Sequence, residues 1–178
     1  FVDLAGVCKL VKNIIPKEGF TILASVSGER KTWLALEMAK CITLGKNFLD
    51  NPDFETKEGN VLYLDLEMSQ SELQRRARQL SLGEQKVKLF IVNNKNLNLN
   101  TKNGAIWLMA IIEYHNISTV FIDTFRAVAG GLKEEKAEEI RTMFNRFKLL
   151  KNKGVSVVWL DHTRKPNNFE GKIIKKEH

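Results

Sequence analysis

Four apolar runs of this chain, at residues 20–24, 61–66, 119–122 and 155–160, each lead into residues that can do chemistry. The first is followed by Lys31 and Thr32, the second by Glu67, the third by Asp123 and Thr124, and the fourth by Asp161 and His162. An ammonium beside a hydroxyl, with carboxylates and an imidazole, is what is needed to bind a polyphosphate with a divalent cation and to cleave it. In that reading Lys31 offsets charge on the β- and γ-phosphates, and Thr32 ligates Mg²⁺. Asp123 holds the metal directly or through water, Glu67 polarises the attacking water, and His162 senses the γ-phosphate.

The loop before Lys31 is the part to weigh first. A phosphate-binding loop has two glycines enclosing four residues and then Lys and Ser/Thr, because bare N–H groups at a helix N-terminus cradle the anion. Here the loop reads Ser25, Val26, Ser27, Gly28, Glu29, Arg30 before Lys31 and Thr32. Lys31 and Thr32 fit, Ser25 and Arg30 stand where glycines belong, and Gly28 is the glycine left inside. Taken alone, the stretch reads equally well as an ordinary strand-to-helix turn. The other positions have ordinary readings too: Asp123 as a turn residue, Glu67 as an acid complementing a helix dipole, His162 as a structural histidine. Their joint placement is what favours a site.

The elements that position them follow from periodicity. Strands are expected at the four runs above and at 88–92. Helices are expected at 31–44, stopped by Gly45; from a Ser69/Glu72 capping box to Gly83; from a Thr101 cap through Tyr114; and at 138–152, stopped by Gly154. Residues 1–16 carry a mildly amphipathic pattern read as a short helix or lead-in segment ending at Pro16. Residues 50–60 read as a polar linker and 129–136 as a mobile, charged segment. Strands alternating with helices, and apolar throughout rather than at every second residue, argue for an α/β fold: a mostly parallel central sheet with helices on both faces. Ligands of such sheets bind beyond the carboxyl ends of the strands, where all of these residues stand.

Composition narrows the class. With 178 residues, 43% of them hydrophobic, one domain with a sizeable core is expected. A net charge of +7 suits a polyanionic partner, although solvated helix surfaces account as well for Arg75, Arg76, Arg78 and the basic residues of 141–153. No apolar run approaches the roughly 20 residues that cross a bilayer, and the opening residues lack the marks of a signal peptide, so the expectation is a cytoplasmic protein. Cys8 and Cys41 lie far apart without metal-ligand spacing and read as small hydrophobes.

The order of these motifs, the phosphate loop, then VLYLDLEMS (61–69), VFIDTFRAVAGG (120–131) and VSVVWLDHTRKP (155–166), resembles the RecA-like P-loop ATPases of the RepA and DnaB-type replicative helicase group. Stand-alone members found on phages and plasmids are the most similar. The resemblance implies a RecA-like core over 17–166, with 1–16 as lead-in and 167–178 as a truncated basic tail. It matches Glu67 to the catalytic glutamate, Asp123 to the Walker B aspartate, His162 to the polar sensor, and Arg164 with Lys165 to a basic pair. Arg126 would serve a subunit interface or nucleic acid. Proteins of this group form rings, often hexamers, with ATP at the interfaces and DNA in the channel. The implied activity is Mg²⁺-dependent ATP hydrolysis in DNA replication or mobile-element maintenance. The alternative is a degenerate, non-catalytic nucleotide-binding module acting as an assembly or regulatory subunit, favoured by the Ser25 and Arg30 replacements.

Overall fold

The computed structural model describes residues 9–26, 28, 30–82, 88–124, 127 and 137–163. Ser27, Glu29, Arg126, Arg164 and Lys165, the first half of the lead-in, Gly83, the segment 129–136 and the basic tail lie outside the described residues. In chain order the elements are β1 (Lys9–Val11), β2 (Ile15–Pro16), β3 (Phe20–Ser25), α1 (Lys31–Leu44), β4 (Asn60–Asp65), α2 (Gln70–Gln79), β5 (Leu89–Asn93), α3 (Lys102–Tyr114), β6 (Ile117–Asp123), α4 (Ala137–Asn152) and β7 (Ser156–His162). Five strands form one parallel sheet in the order β3-β7-β6-β4-β5, as the apolar runs predict.

Side chains leave the strands alternately, so each strand feeds two cores. Val61, Tyr63, Phe121, Val158 and Leu160 pack with α1 through Ala35, Leu36, Met38, Ala39 and Ile42. Leu62, Leu64, Val120, Ile122, Val157 and Trp159 pack on the other face with Leu108 and Ile112 of α3 and Phe147 and Leu150 of α4. Both faces are covered, which is why the strands carry no polar alternation. Sheet register then sets the site. Ser25 pairs with His162, and Asp65 with Asp123, so the chemistry-bearing ends of neighbouring strands stand side by side.

The lead-in departs from the expected helix. Residues 9–16 form an antiparallel hairpin, β1 with β2, turning at Asn13 in the left-handed region at φ 65°. Its Leu10, Val11 and Ile15 are buried in the α1-side core, and Val11 bridges to Thr56 in the linker. The apolar pairs 10/11 and 14/15 have helical spacing, but β-branched Val11, Ile14 and Ile15 before a proline favour extended backbone. The linker is also more ordered than its polarity suggests. A 3₁₀ turn, Phe48–Asp50 with Phe48 buried, leads into it, and a second, Pro52–Phe54, lies within it. At the far end, Asp161 and His162 belong to β7 itself rather than to the loop after it.

Candidate functional site

Ser25 ends β3, and α1 begins at Lys31. Between them, Gly28 has φ 93° and Arg30 has φ 57° and ψ 23°, so Arg30 adopts the left-handed conformation that glycine takes without strain. Ser25 shows no such demand. It lies in strand backbone, and the missing glycine there costs no backbone strain. Arg30 is exposed and lines the wall of an open cleft rather than filling it. Among the described residues no side chain caps α1, which leaves its first amides to an anion.

The Lys31 ammonium donates to the Ser25 carbonyl at 2.8 Å, the Ser25 hydroxyl at 2.9 Å and the Val26 carbonyl at 3.1 Å. It also lies 3.3 Å from His162 Nδ1, whose Nε2 lies 3.4 Å from a Glu67 carboxylate oxygen. The neutral imidazole with its proton on Nε2 satisfies both contacts: Nδ1 accepts from the lysine and Nε2–H donates to the glutamate. The other Glu67 oxygen accepts the Thr124 hydroxyl at 2.8 Å. Lysine, imidazole and glutamate therefore form one continuous polar chain across the start of α1, the end of β7 and the turn after β4.

Asp123 is 3% exposed at the end of β6. It accepts a hydrogen bond from the Tyr63 hydroxyl at 3.0 Å, and Thr32 lines the same cleft beside it. Burial raises its pKa, the Thr32 and Tyr63 hydroxyls oppose that rise, and the nearby Asp65 and Glu67 charges add to it. Burial likewise pushes the Tyr63 phenol well up, with Asp123 adding to the shift, so this hydroxyl is a permanent donor. The Asp123–Thr124 peptide is cis.

A model of the AAA domain family matches residues 4–168 of the chain. The chain belongs to that family. Its fold is the RecA-like α/β fold. A KaiC-like protein of the hyperthermophilic archaeon Pyrococcus horikoshii OT3 superposes with a TM-score of 0.61 at 17% identity. That match covers 86% of this chain, which spans 65% of the archaeal protein. No curated protein matches the chain. Together these findings support a RecA-like P-loop nucleotide-binding domain of the ATPase class, coarser than the helicase group that the motifs resemble.

For such an AAA domain, the described residues bring Ser25, Val26, Gly28, Arg30, Lys31, Thr32, Glu67, Asp123 and His162 to one sheet edge. The donor set suits Mg²⁺. No group of three or more His, Cys, Asp or Glu is placed to cage a metal among the described residues, but Thr32 and Asp123 line the same cleft with Lys31 and Glu67. Oxygen donors with one or two carboxylates, completed by phosphate oxygens and water, are the usual Mg²⁺ arrangement.

Two residues went unread in the sequence. Asp65, fully buried, accepts from the backbone N–H groups of Glu67 at 3.2 Å and Met68 at 3.1 Å and from the Asn93 amide at 2.9 Å. It folds the turn that delivers Glu67 to the cleft, and the signal was present: an aspartate two residues before the end of a post-strand turn. Arg76 lines the same cleft from α2. Its position on a basic helix face made it look like solvated surface.

Proposed function

We propose that this AAA domain binds ATP with Mg²⁺ and hydrolyses it. The observation that carries the reading is the convergence of Lys31, Thr32, Glu67, Asp123 and His162 on one cleft, with Lys31, His162 and Glu67 already in contact. Lys31 exchanges its loop carbonyls for phosphate oxygens. Glu67, held at both oxygens by Thr124 and His162, presents a fixed acceptor to the attacking water. Thr32 and Asp123 would hold Mg²⁺, which when bound spreads the charge developing between the β- and γ-phosphates. His162 bridges the phosphate-binding lysine and the water-positioning glutamate, so arrival or loss of the γ-phosphate changes its contacts on both sides.

Beyond hydrolysis, the motif order and the net charge of +7 support a helicase-type role on DNA, as a ring or filament of identical subunits. Arg126, Arg164 and Lys165 are the proposed interface or nucleic-acid residues. The second reading is a degenerate module that binds nucleotide weakly and regulates assembly. It is favoured by the Ser25 hydroxyl, which gives the lysine an internal partner that glycine would not supply.

Calorimetry of ATP binding with and without Mg²⁺, on this chain and on Lys31→Ala, tests the proposal. Micromolar binding, about 8 kcal/mol, lost in the variant, supports it; no binding to either protein overturns it in favour of the non-catalytic reading. Hydrolysis stimulated by single-stranded DNA, and falling with salt, is the expected mark of the DNA role.

A further inference from the structure

Beside the cleft, where the first turn of α1 meets α2, Trp33, Glu72 and Arg76 form a clamp that the chemistry above does not use. Trp33 directly follows Thr32. The guanidinium carbon of Arg76 lies 5.1 Å from its ring centroid, and that of Arg75 lies 5.7 Å away. Glu72 is the opposite jaw. One of its oxygens accepts from Arg76 Nε at 2.7 Å, while both accept from Arg75, at 2.7 and 2.8 Å. Those guanidinium bonds lower the Glu72 pKa to about 2, so the clamp stays charged throughout the neutral range.

The two arginines differ in what remains. Arg75 is half-exposed and gives another donor to Gln79 at 2.7 Å. The Arg76 side chain is only 19% exposed, and it lines the cleft shared with Lys31, Thr32, Glu67 and Asp123. Its Nε edge is taken and its face is stacked. Its two terminal nitrogens make no hydrogen bond to the described residues. A guanidinium fixed in this way has lost its rotamer freedom before any ligand arrives, and its open fork matches the geometry of a phosphate. Glu72, its ion-pair partner, is shared with Arg75, and neither Glu67 nor Asp123 accepts from its terminal nitrogens, which are left for a ligand.

We propose that Trp33 and Glu72 are positioning residues that set Arg76 as a ligand of the terminal phosphate, so that the site distinguishes ATP from ADP. The inference rests on the ATP reading given above. Arg76 shares the cleft wall with Glu67, the acid aimed at the water that attacks that phosphate, so the phosphate within reach is the terminal one. Trp33 then links two tasks. The residue after the metal-binding hydroxyl also aims the second cation.

The test compares ATP and ADP affinities by calorimetry with Mg²⁺, together with kcat and KM, across a set of variants. Arg76→Ala is expected to weaken ATP about tenfold or more, as for a lost charged hydrogen bond, and to leave ADP within about twofold. Trp33→Ala and Glu72→Gln are expected to shift the same ATP-to-ADP ratio by about threefold, because they leave Arg76 present but loose. Trp33→Phe, which keeps an aromatic face, should recover most of the wild-type ratio, whereas a merely structural role for the ring would not act on the ratio at all. Arg76→Lys keeps the charge and loses the fork; loss of ATP preference in that variant supports the proposal independently of the truncations. An unchanged ATP-to-ADP ratio in both Arg76 variants overturns it. A wild-type chain that binds neither nucleotide overturns the ATP reading as well, and that result is visible without any variant.

Discussion

Asp123 is a carboxylate held at 3% exposure, with its pKa raised chiefly by burial and further by Asp65 and Glu67. An acid whose folded pKa lies above its unfolded value carries no penalty below both values, and it loses stability as pH rises through the folded one. Replacing it by Asn removes that penalty while leaving an oxygen for the Tyr63 hydroxyl. Asp123→Asn is therefore expected to be more stable than wild type by about 0.5–2 kcal/mol at neutral pH, with the advantage vanishing in acid, and to lose Mg²⁺-dependent ATP binding. Urea unfolding across pH checks the first part and calorimetry the second. Glu67→Gln separates binding from chemistry: ATP affinity is expected to hold while kcat falls roughly 100-fold or more. Arg30, at φ 57°, carries a left-handed cost of about 1–2 kcal/mol against the entropy that glycine loses on folding. Arg30→Gly should thus stabilise the chain by up to about 1 kcal/mol, measured by the urea midpoint. At this scale the sequence was legible where a residue's type states its task, as for Lys31, Thr32 and Glu67. Asp65 was legible in principle, since its partners include the amides two and three residues on, whereas Arg76 was opaque because its meaning depends on Trp33, which the fold brings against it.

Among the elements, the β-α-β alternation was readable because a strand covered on both faces has no reason to interrupt its apolar run, and a helix with one covered face does. The caps were readable as well: Ser69 accepts the Glu72 amide at 3.3 Å, and Thr101 accepts the Gly104 amide at 3.0 Å. The Ser69 box is realised on one side, because the Glu72 carboxylate turns to Arg75 and Arg76 instead of reaching back to the cap. The hairpin at 9–16 was not readable. Its pattern of paired apolar residues serves both a helix and two short strands, and the choice is made by partners at 55–57, reached through the Lys12 amide on the Glu55 carbonyl and the Lys57 amide on the Leu10 carbonyl. Gly104 gives an element-scale prediction. A Cβ there would stand 2.0 Å from the Asn98 carbonyl oxygen, so the start of α3 is pressed against the loop before it. Gly104→Ala is expected to destabilise the chain by about 1–3 kcal/mol, read from thermal unfolding, despite alanine's better helix propensity.

For the whole molecule, the order β3-β7-β6-β4-β5 places the phosphate-loop strand at the margin of the sheet. Among the described residues β3 pairs with β7 alone, and Ile22 is 53% exposed. An apolar edge strand is a template for pairing with another chain, and a lysine there is a common way of discouraging it. Ile22→Lys is expected to leave the unfolding midpoint nearly unchanged and to reduce concentration-dependent light scattering. The same position sets a gradient of protection across the sheet. Backbone amides of β4 and β6 lie between two neighbouring strands and open only with the global fold, whereas alternate amides of β3 face outward and exchange with solvent by small local openings. A ligand that binds only the closed loop suppresses those openings in proportion to its occupancy. The amides at 21–25 are therefore a built-in gauge of the cleft, and deuterium uptake there should slow when nucleotide is added while that of β4 and β6 hardly changes.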